Sequence, residues 1–297
     1  MDNITKNIIL TPFNLLYKIS PKKTLELLFR LKVGHKLDLD NPKTYNEKLQ
    51  WIKLYDKNEL MTKCCDKYTV REYIESCGYS ESLNDLYWQG YDPEDIPFDS
   101  LPNKFVIKVT HGSSFNIICN DKRKLDRRGT IKKLNKWLKA KFIPCYGEWF
   151  YGVEKPRVIV EKYLENEDDS PLFDYKFFCF NGEPKLIYID TWRDNEHHIN
   201  AYDTEFNLLP SVKLGFENDL ISNIKKPENL DMMLDYARNL SKPFLHVRVD
   251  LYNVNNNIVF GELTFTKGAG FSKIEPHSFD VTMGSWLELP PKQEVVG

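Results

Sequence analysis

The segment His246-Val-Arg248-Val-Asp250-Leu-Tyr-Asn253, turned by Asn255-Asn256 and answered by Asn257-Ile-Val-Phe-Gly-Glu262-Leu-Thr264-Phe265, places charges inside two otherwise apolar runs. Successive strand residues point to opposite faces, so Arg248 and Asp250 share one face while Val247, Val249 and Leu251 share the other. A short turn returns the chain and sets Glu262 opposite them. Two carboxylates and an arginine then converge. They read either as a cross-strand salt bridge or as hard oxygen ligands for magnesium, which takes one or two carboxylates and completes its shell with nucleotide phosphates. Directly after Glu262, Thr264-Phe-Thr266-Lys267-Gly268-Ala-Gly270 ends the strand in hydroxyls and glycines. Such backbone admits a substrate closely and offers N–H donors to a developing oxyanion, although a simple loop has the same composition.

Outward from this hairpin, period-two runs predict strands at Val158–Tyr163, Tyr175–Phe180 and Lys185–Thr191, with Asn181-Gly182 as a second turn dipeptide. Helical spacing predicts Thr130–Lys141, through Ile131, Leu134, Trp137 and Leu138, and a further helix over Asn229–Leu240. The first hundred residues read as all-helical. Tyr45–Leu54 and Lys63–Cys77 carry apolar positions three and four apart, and Gly78 is placed to stop the second. A Pro-, Asp- and Gly-rich loop, Gly90–Asn103, sets a boundary near Leu101. The class is α+β.

Lys104-Phe-Val-Ile-Lys108-Val-Thr-His111-Gly112-Ser113-Ser114-Phe-Asn116 forms a short buried strand, a Gly/Ser turn and a returning strand. A lysine at the end of such a strand, before exposed turn N–H groups, suits a phosphate chain. Plain hairpins have the same form, and the fixed Gly-Lys-Ser/Thr of a Walker motif is missing.

Of the 297 residues, 41 are basic and 43 acidic, a net charge of -2. No bulk positive field argues for nucleic acid, so any anion site must be local. Six cysteines without a CxxC pair read as free thiols of a reducing cytoplasm. No run approaches the roughly 18–20 apolar residues of a membrane span. The segment Ile8–Leu31, apolar and followed through by Lys22 and Lys23, reads as a packed amphipathic helix, with peripheral membrane contact as the alternative. A dense basic stretch, including Arg127, Arg128, Lys132, Lys133, Lys136, Lys139 and Lys141, is either a solvated face or a docking surface for an acidic glycan or its lipid carrier. The pair His197-His198, beside Asp194 and Glu196, diverges on a strand and closes no zinc site; Trp192, Arg193 and His198 are acceptor-site candidates or plain loop surface.

The order of these pieces resembles the ATP-grasp superfamily: strand lysine, Gly/Ser loop, the strand end Val-Ile-Val-Glu161-Lys162-Tyr163-Leu164, Asp174-Tyr-Lys176, then Arg-Val-Asp and Gly-Glu-Leu-Thr. More closely it is similar to the TupA-like branch associated with teichuronopeptide and bacterial capsular polysaccharide synthesis. Asn46-Glu-Lys48-Leu-Gln and Asp66-Lys-Tyr-Thr-Val-Arg71 extend the resemblance into the helical region. It implies two β-rich lobes clasping ATP: a helical region over 1–100, a small lobe with the phosphate loop over 101–165, and a catalytic lobe with the metal site over 166–297. It implies an ATP- and magnesium-dependent ligase that joins a carboxylate to an amine through an acyl phosphate. The substrates would be a uronic-acid-containing glycan or its activated precursor and an amino acid or small amine, at the inner face of the membrane or in the cytoplasm.

Carried over by residue, Arg71 and Lys108 would contact nucleotide phosphates, His111, Gly112, Ser113 and Ser114 would close over them, and Glu161, Lys162, Tyr163 and Leu164 would line the adenine slot. Lys176 would support the nucleotide. Asp250 and Glu262 would hold magnesium, with Arg248 stabilising the transferring phosphoryl group and Gly268 and Gly270 beside it. Thr264 stands where the commonest family pattern has asparagine, which leaves one metal or two open. Rival readings are another ATP-dependent transferase, a glycosyltransferase, or a glycan-binding protein that kept the fold without turnover.

Overall fold

The computed structural model describes residues 9–168, 170–193, 196–222 and 224–291. The side chains of Trp192 and Arg193, and all of Ile8 and Asp194, lie outside that description. The chain divides into two compact units, one of residues 1–58, 143–148 and 173–297, the other of 59–142 and 149–172. This partition differs from the sequence reading, which set its first boundary near Leu101.

The first unit opens with helices α1 (Thr11–Ile19), α2 (Pro21–Val33) and α3 (Tyr45–Tyr55). Within Ile8–Leu31 the helix breaks at Ser20-Pro21, because the ring of Pro21 suits only the first turn of a new helix. A capping box starts α3: Thr44 accepts from the Glu47 N–H while Glu47 reaches back to the Thr44 N–H.

The second unit holds α4 (Leu60–Cys64) and α5 (Val70–Ser76), two short helices where one over Lys63–Cys77 was expected. Asp66 separates them, its carboxylate accepting the N–H groups of Tyr68 and Thr69 and so offering the backbone a turn in place of a continuous helix. Its sheet contains β1 (Leu86–Gly90), β2 (Phe105–Val109), β3 (Asn116–Cys119) and, after helix α6 (Arg127–Leu138), β4 (Val158–Lys162), in the antiparallel order β1-β4-β2-β3. Strand β1 corrects the all-helical reading of the first hundred residues. Leu134 of α6 is fully buried in a core with Phe105, Ile107, Val109, Val158 and Val160, which leaves Val106, Lys108 and Glu161 on the opposite face.

The chain then returns to the first unit with β5 (Asp174–Phe180), β6 (Glu183–Arg193), β7 (Glu196–Tyr202), helix α7 (Leu230–Ser241), β8 (His246–Val254), β9 (Asn257–Thr264) and α8 (His277–Ser285). The sheet order is β7-β6-β5-β8-β9, antiparallel throughout. Both dipeptide turns form as read: Asn181 and Gly182 have φ of 48° and 85°, Asn255 and Asn256 of 50° and 63°, the paired left-handed conformation that matches strand twist. Helix α7 buries Leu230, Met233, Ala237 and Leu240, and the thiol of Cys179 approaches the Ala237 carbonyl across this face. The other face of the sheet is divided. Phe178, Phe180 and His246 pack around Tyr45 of α3, and farther along the same strands the side chains become charged.

Candidate functional site

In the first unit the register aligns Asp250 with Glu262, Arg248 with Thr264, and Lys176 with both Asp250 and Tyr188. Strand alternation therefore gathers Asp174, Lys176, Tyr188, Asp190, Arg248, Asp250, Glu262 and Thr264 on one face. The Arg248 guanidinium clasps Asp250 through Nε at 2.7 Å and Nη2 at 2.5 Å, and Nη2 also lies 3.3 Å from Glu262 and 3.0 Å from the Thr264 hydroxyl. Its Nη1 donates to the Tyr188 hydroxyl at 3.1 Å. Lys176 bridges Asp174 and Asp190, the latter at 2.7 Å, and Asp190 also meets His197 Nε2 at 2.6 Å.

Burial pushes the Asp250 carboxyl up to about 7 against the pull of Arg248. Burial alone would lower Lys176, but Asp250, Asp174 and Asp190 outweigh it and hold its ammonium charged. Lys267, which donates to the Leu214 carbonyl at 2.6 Å, falls to about 8 through burial and the nearby Arg248.

The donor chemistry fits magnesium in one specific way. Among the described residues no group of three His, Cys, Asp or Glu side chains is spaced to hold a metal by itself. Asp250 and Glu262 face each other across the strand pair, and Asp174 adds a buried carboxylate oxygen with no hydrogen-bond partner. Two hard carboxylates with a hydroxyl suit an ion whose remaining ligands arrive on phosphates and water.

The glycines after this strand divide in role. Gly268 is exposed. Gly270, at φ 68°, is buried where a Cβ would lie 2.5 Å from Gln50 Nε2 and 3.0 Å from Leu49; it serves close packing against α3. A polar stripe on α3 holds the turn: Gln50 donates to the Ala269 and Gly270 carbonyls, Lys53 to Ala269 and Tyr146, and Asn46 to Ser272 and Asp280. All three side chains are buried. Asn46 and Gln50 belong to the motif that carries the resemblance; their spacing of four and three residues to Lys53, which marks one buried polar stripe, is the signal by which this role is legible. Asp190 was missed, although an aspartate inside Leu186-Ile-Tyr-Ile-Asp190 is the same kind of sign that marked Asp250.

The second unit carries a smaller cluster. Glu161 on β4 pairs with Lys108 Nζ on β2 at 2.7 Å and with Arg71 on α5 at 3.7 Å. The carboxylate of Glu161 is thus turned to the two cations read as phosphate contacts. Lys162 points to the other side and meets Asp85 at 3.2 Å; Tyr163 lies under the Lys104 ammonium, and Leu164 is half-buried. In the turn, Gly112 and Ser114 adopt positive φ of 83° and 62°, and Ser113 and Ser114 are exposed. His111 is buried instead, with Nε2 2.9 Å from the Ala140 carbonyl and its ring against Phe115 and Phe142. Of the four turn residues, His111 is therefore directed inward.

His197 and His198 diverge as read. His198 is buried with neither ring nitrogen hydrogen-bonded.

The TupA-like ATP-grasp family model matches residues 47–288, and the chain belongs to that family. No curated protein sequence matches it. Among solved structures, D-alanine–D-alanine ligase from Bacillus anthracis is similar at 15% identity and TM-score 0.45, covering 81% of this chain and 65% of that one. The corresponding ligase from Helicobacter pylori is 11% identical with TM-score 0.44, covering 82% and 69%. N5-carboxyaminoimidazole synthase from Aspergillus clavatus is 10% identical with TM-score 0.41, covering 77% and 53%. The chain spans about half to two thirds of the length of these proteins.

Proposed function

We propose that the protein is an ATP-dependent carboxylate–amine ligase that forms an amide on a uronic acid of a bacterial surface polysaccharide or its precursor. The observation that carries this reading is the convergence of Arg248, Asp250, Glu262 and Thr264 on one face of β8–β9 in a chain of the ATP-grasp family. A substrate carboxylate oxygen attacks the γ-phosphorus of ATP, the bond to the β-phosphate oxygen breaks, and ADP leaves. The amine nitrogen then attacks the acyl carbon and expels inorganic phosphate, losing a proton as the amide forms. No protein nucleophile is needed, since alignment and charge stabilisation account for such chemistry.

Lys108 and Arg71 supply positive charge for the phosphates, with Glu161 fixing the Lys108 ammonium. Arg248, already held by Asp250 and Tyr188, aims a guanidinium at the transferring phosphoryl group and the tetrahedral oxyanion. Lys176 balances the surrounding carboxylates. Magnesium, when bound by Asp250 and Glu262 with Thr264 beside them, supplies charge neutralisation on the phosphates.

No helix among the described residues is long and apolar enough to cross a membrane. Exposed Leu15, Ile19, Leu27 and Leu31, with Lys18, Lys22 and Lys23 among them, support peripheral contact of α1 and α2 with a membrane carrying a lipid-linked acceptor.

The test is ADP release with ATP, magnesium, uronic acids and pooled amino acids or amines. Substrate-dependent ADP is expected, reduced on the order of 10²–10³-fold in Glu262→Gln. Tight ATP binding with no ADP under every acceptor pool, lipid-linked glycans included, would favour a binding protein that kept the fold.

A further inference from the structure

Helix α6 carries Arg128, Lys132 and Lys136, and Lys139 caps its C-terminus in helical conformation; at spacings of four, four and three the four cations lie along one stripe. All four are exposed, and among the described residues none has an ion-pair partner. Their neighbours differ: Arg127 is held by Asp99 at 2.6 Å and Arg123 by Asp121 at 2.9 Å. The stripe borders an open groove of about 640 Å³, floored by Ile131 and with Glu94 as its one acidic lining residue. Like charges four apart destabilise a helix, so an unpaired row of this kind works against the stability of the free protein.

We propose that this face of the second unit docks a linear polyanionic glycan, one bearing a carboxylate on each sugar. The rise of a helix places successive cations about 4.5–6 Å apart, roughly the length of one sugar unit. Duplex nucleic acid carries charge far more densely, about one per 1.7 Å of axis. Single strands are held largely by stacking on aromatic rings, and here Trp137 is stacked on Phe115 at 5.2 Å and capped by Lys133. A membrane-surface helix sets apolar side chains beside its cations, whereas Ile131, Leu134, Trp137 and Leu138 are turned to the core of the unit. The proposal rests on the ligase reading only for its choice of a carboxylated glycan, and it needs no turnover.

The experiment measures binding of the full chain to polygalacturonate, with neutral dextran, phosphatidylglycerol vesicles and single-stranded RNA alongside, at rising salt. Binding to polygalacturonate is expected to fall linearly in log–log form with salt. Replacing Arg128, Lys132, Lys136 and Lys139 by alanine should weaken it at least tenfold and flatten the salt slope by about 2 to 3. An equal charge change elsewhere, alanine at the exposed Lys36, Lys185, Lys225 and Lys226, should alter it less than twofold. Equal binding by the stripe variant, equal binding to dextran, or vesicle or RNA binding that is tighter than polygalacturonate binding and is lost in the stripe variant would each overturn the proposal. ATP affinity, measured on the same samples, should be unchanged by the stripe variant; its absence in the unaltered protein would sink the ligase reading and leave the glycan result standing by itself.

Discussion

The two charged clusters share a plan and hold opposite balances. In the second unit Lys108 and Arg71 share one carboxylate, Glu161. In the first unit Asp174, Asp190, Asp250 and Glu262 surround Lys176, Arg248 and Lys267. Both are built around charges on one face of an antiparallel sheet, with Arg71 reaching the smaller cluster from α5 and Lys267 the larger one from the turn after β9. Excess positive charge in the one suits an anion and excess carboxylate in the other suits a divalent cation. The clusters also differ in depth: Lys108 keeps a quarter of its side chain exposed, while Asp250 keeps 2%.

Depth predicts the largest effect. Arg248→Met strands the Asp250 carboxylate without its bidentate partner and should cost about 3–5 kcal/mol in urea unfolding, with much of it recovered in Arg248→Met/Asp250→Leu. A loss below about 1 kcal/mol would break the contrast between the clusters.

Two residues before Arg248 on the same face, His246 sharpens it. Its Nδ1–H donates to the Cys179 carbonyl and its Nε2 accepts from the Tyr45 hydroxyl, and burial, aided by Arg248, pushes the ring down to about 3. The unfolded ring titrates near 6.5, so this stabilisation is full above that pH and is lost as pH falls toward 3. Between pH 6.5 and 5 the loss is about 2 kcal/mol, and the His246→Gln variant should lack that slope.

The smallest effect belongs to the second unit. Lys108→Ala leaves Glu161 with Arg71, so stability should change by less than about 1 kcal/mol. ATP affinity should fall about tenfold, or about 1.4 kcal/mol. Unaltered affinity would remove Lys108 from the nucleotide site.

The sequence was most legible where the signal is local. The β8–β9 hairpin, its charged face and both turns follow from alternation and from residues that accept left-handed backbone. Helix α7 follows from its apolar spacing. Strand β7 was legible only at the diverging pair His197-His198, because the run holds few apolar residues, Ile199 and Ala201, to set its bounds. Strand β1 escaped because its side chains are alternately exposed and half-buried, a weak signal beside the Pro-rich loop.

By itself the sequence determined the family, through the order of motifs along the chain, and the Arg-x-Asp and Glu-x-Thr strands with the pairing that sets them face to face, which depend on residues within about twenty positions. Tertiary structure alone decided that Glu161 neutralises Lys108, that His111 turns inward, and that Asp174 and Asp190 enlarge the charged cluster. It also decided that α3 supports the turn after Glu262 and the start of β8, through bonds from Gln50 to Gly270 and from Tyr45 to His246 that span 220 and 201 residues. The physical reason is that backbone conformation answers to near neighbours, whereas the partner of a buried charge is chosen by whichever strands the core brings together.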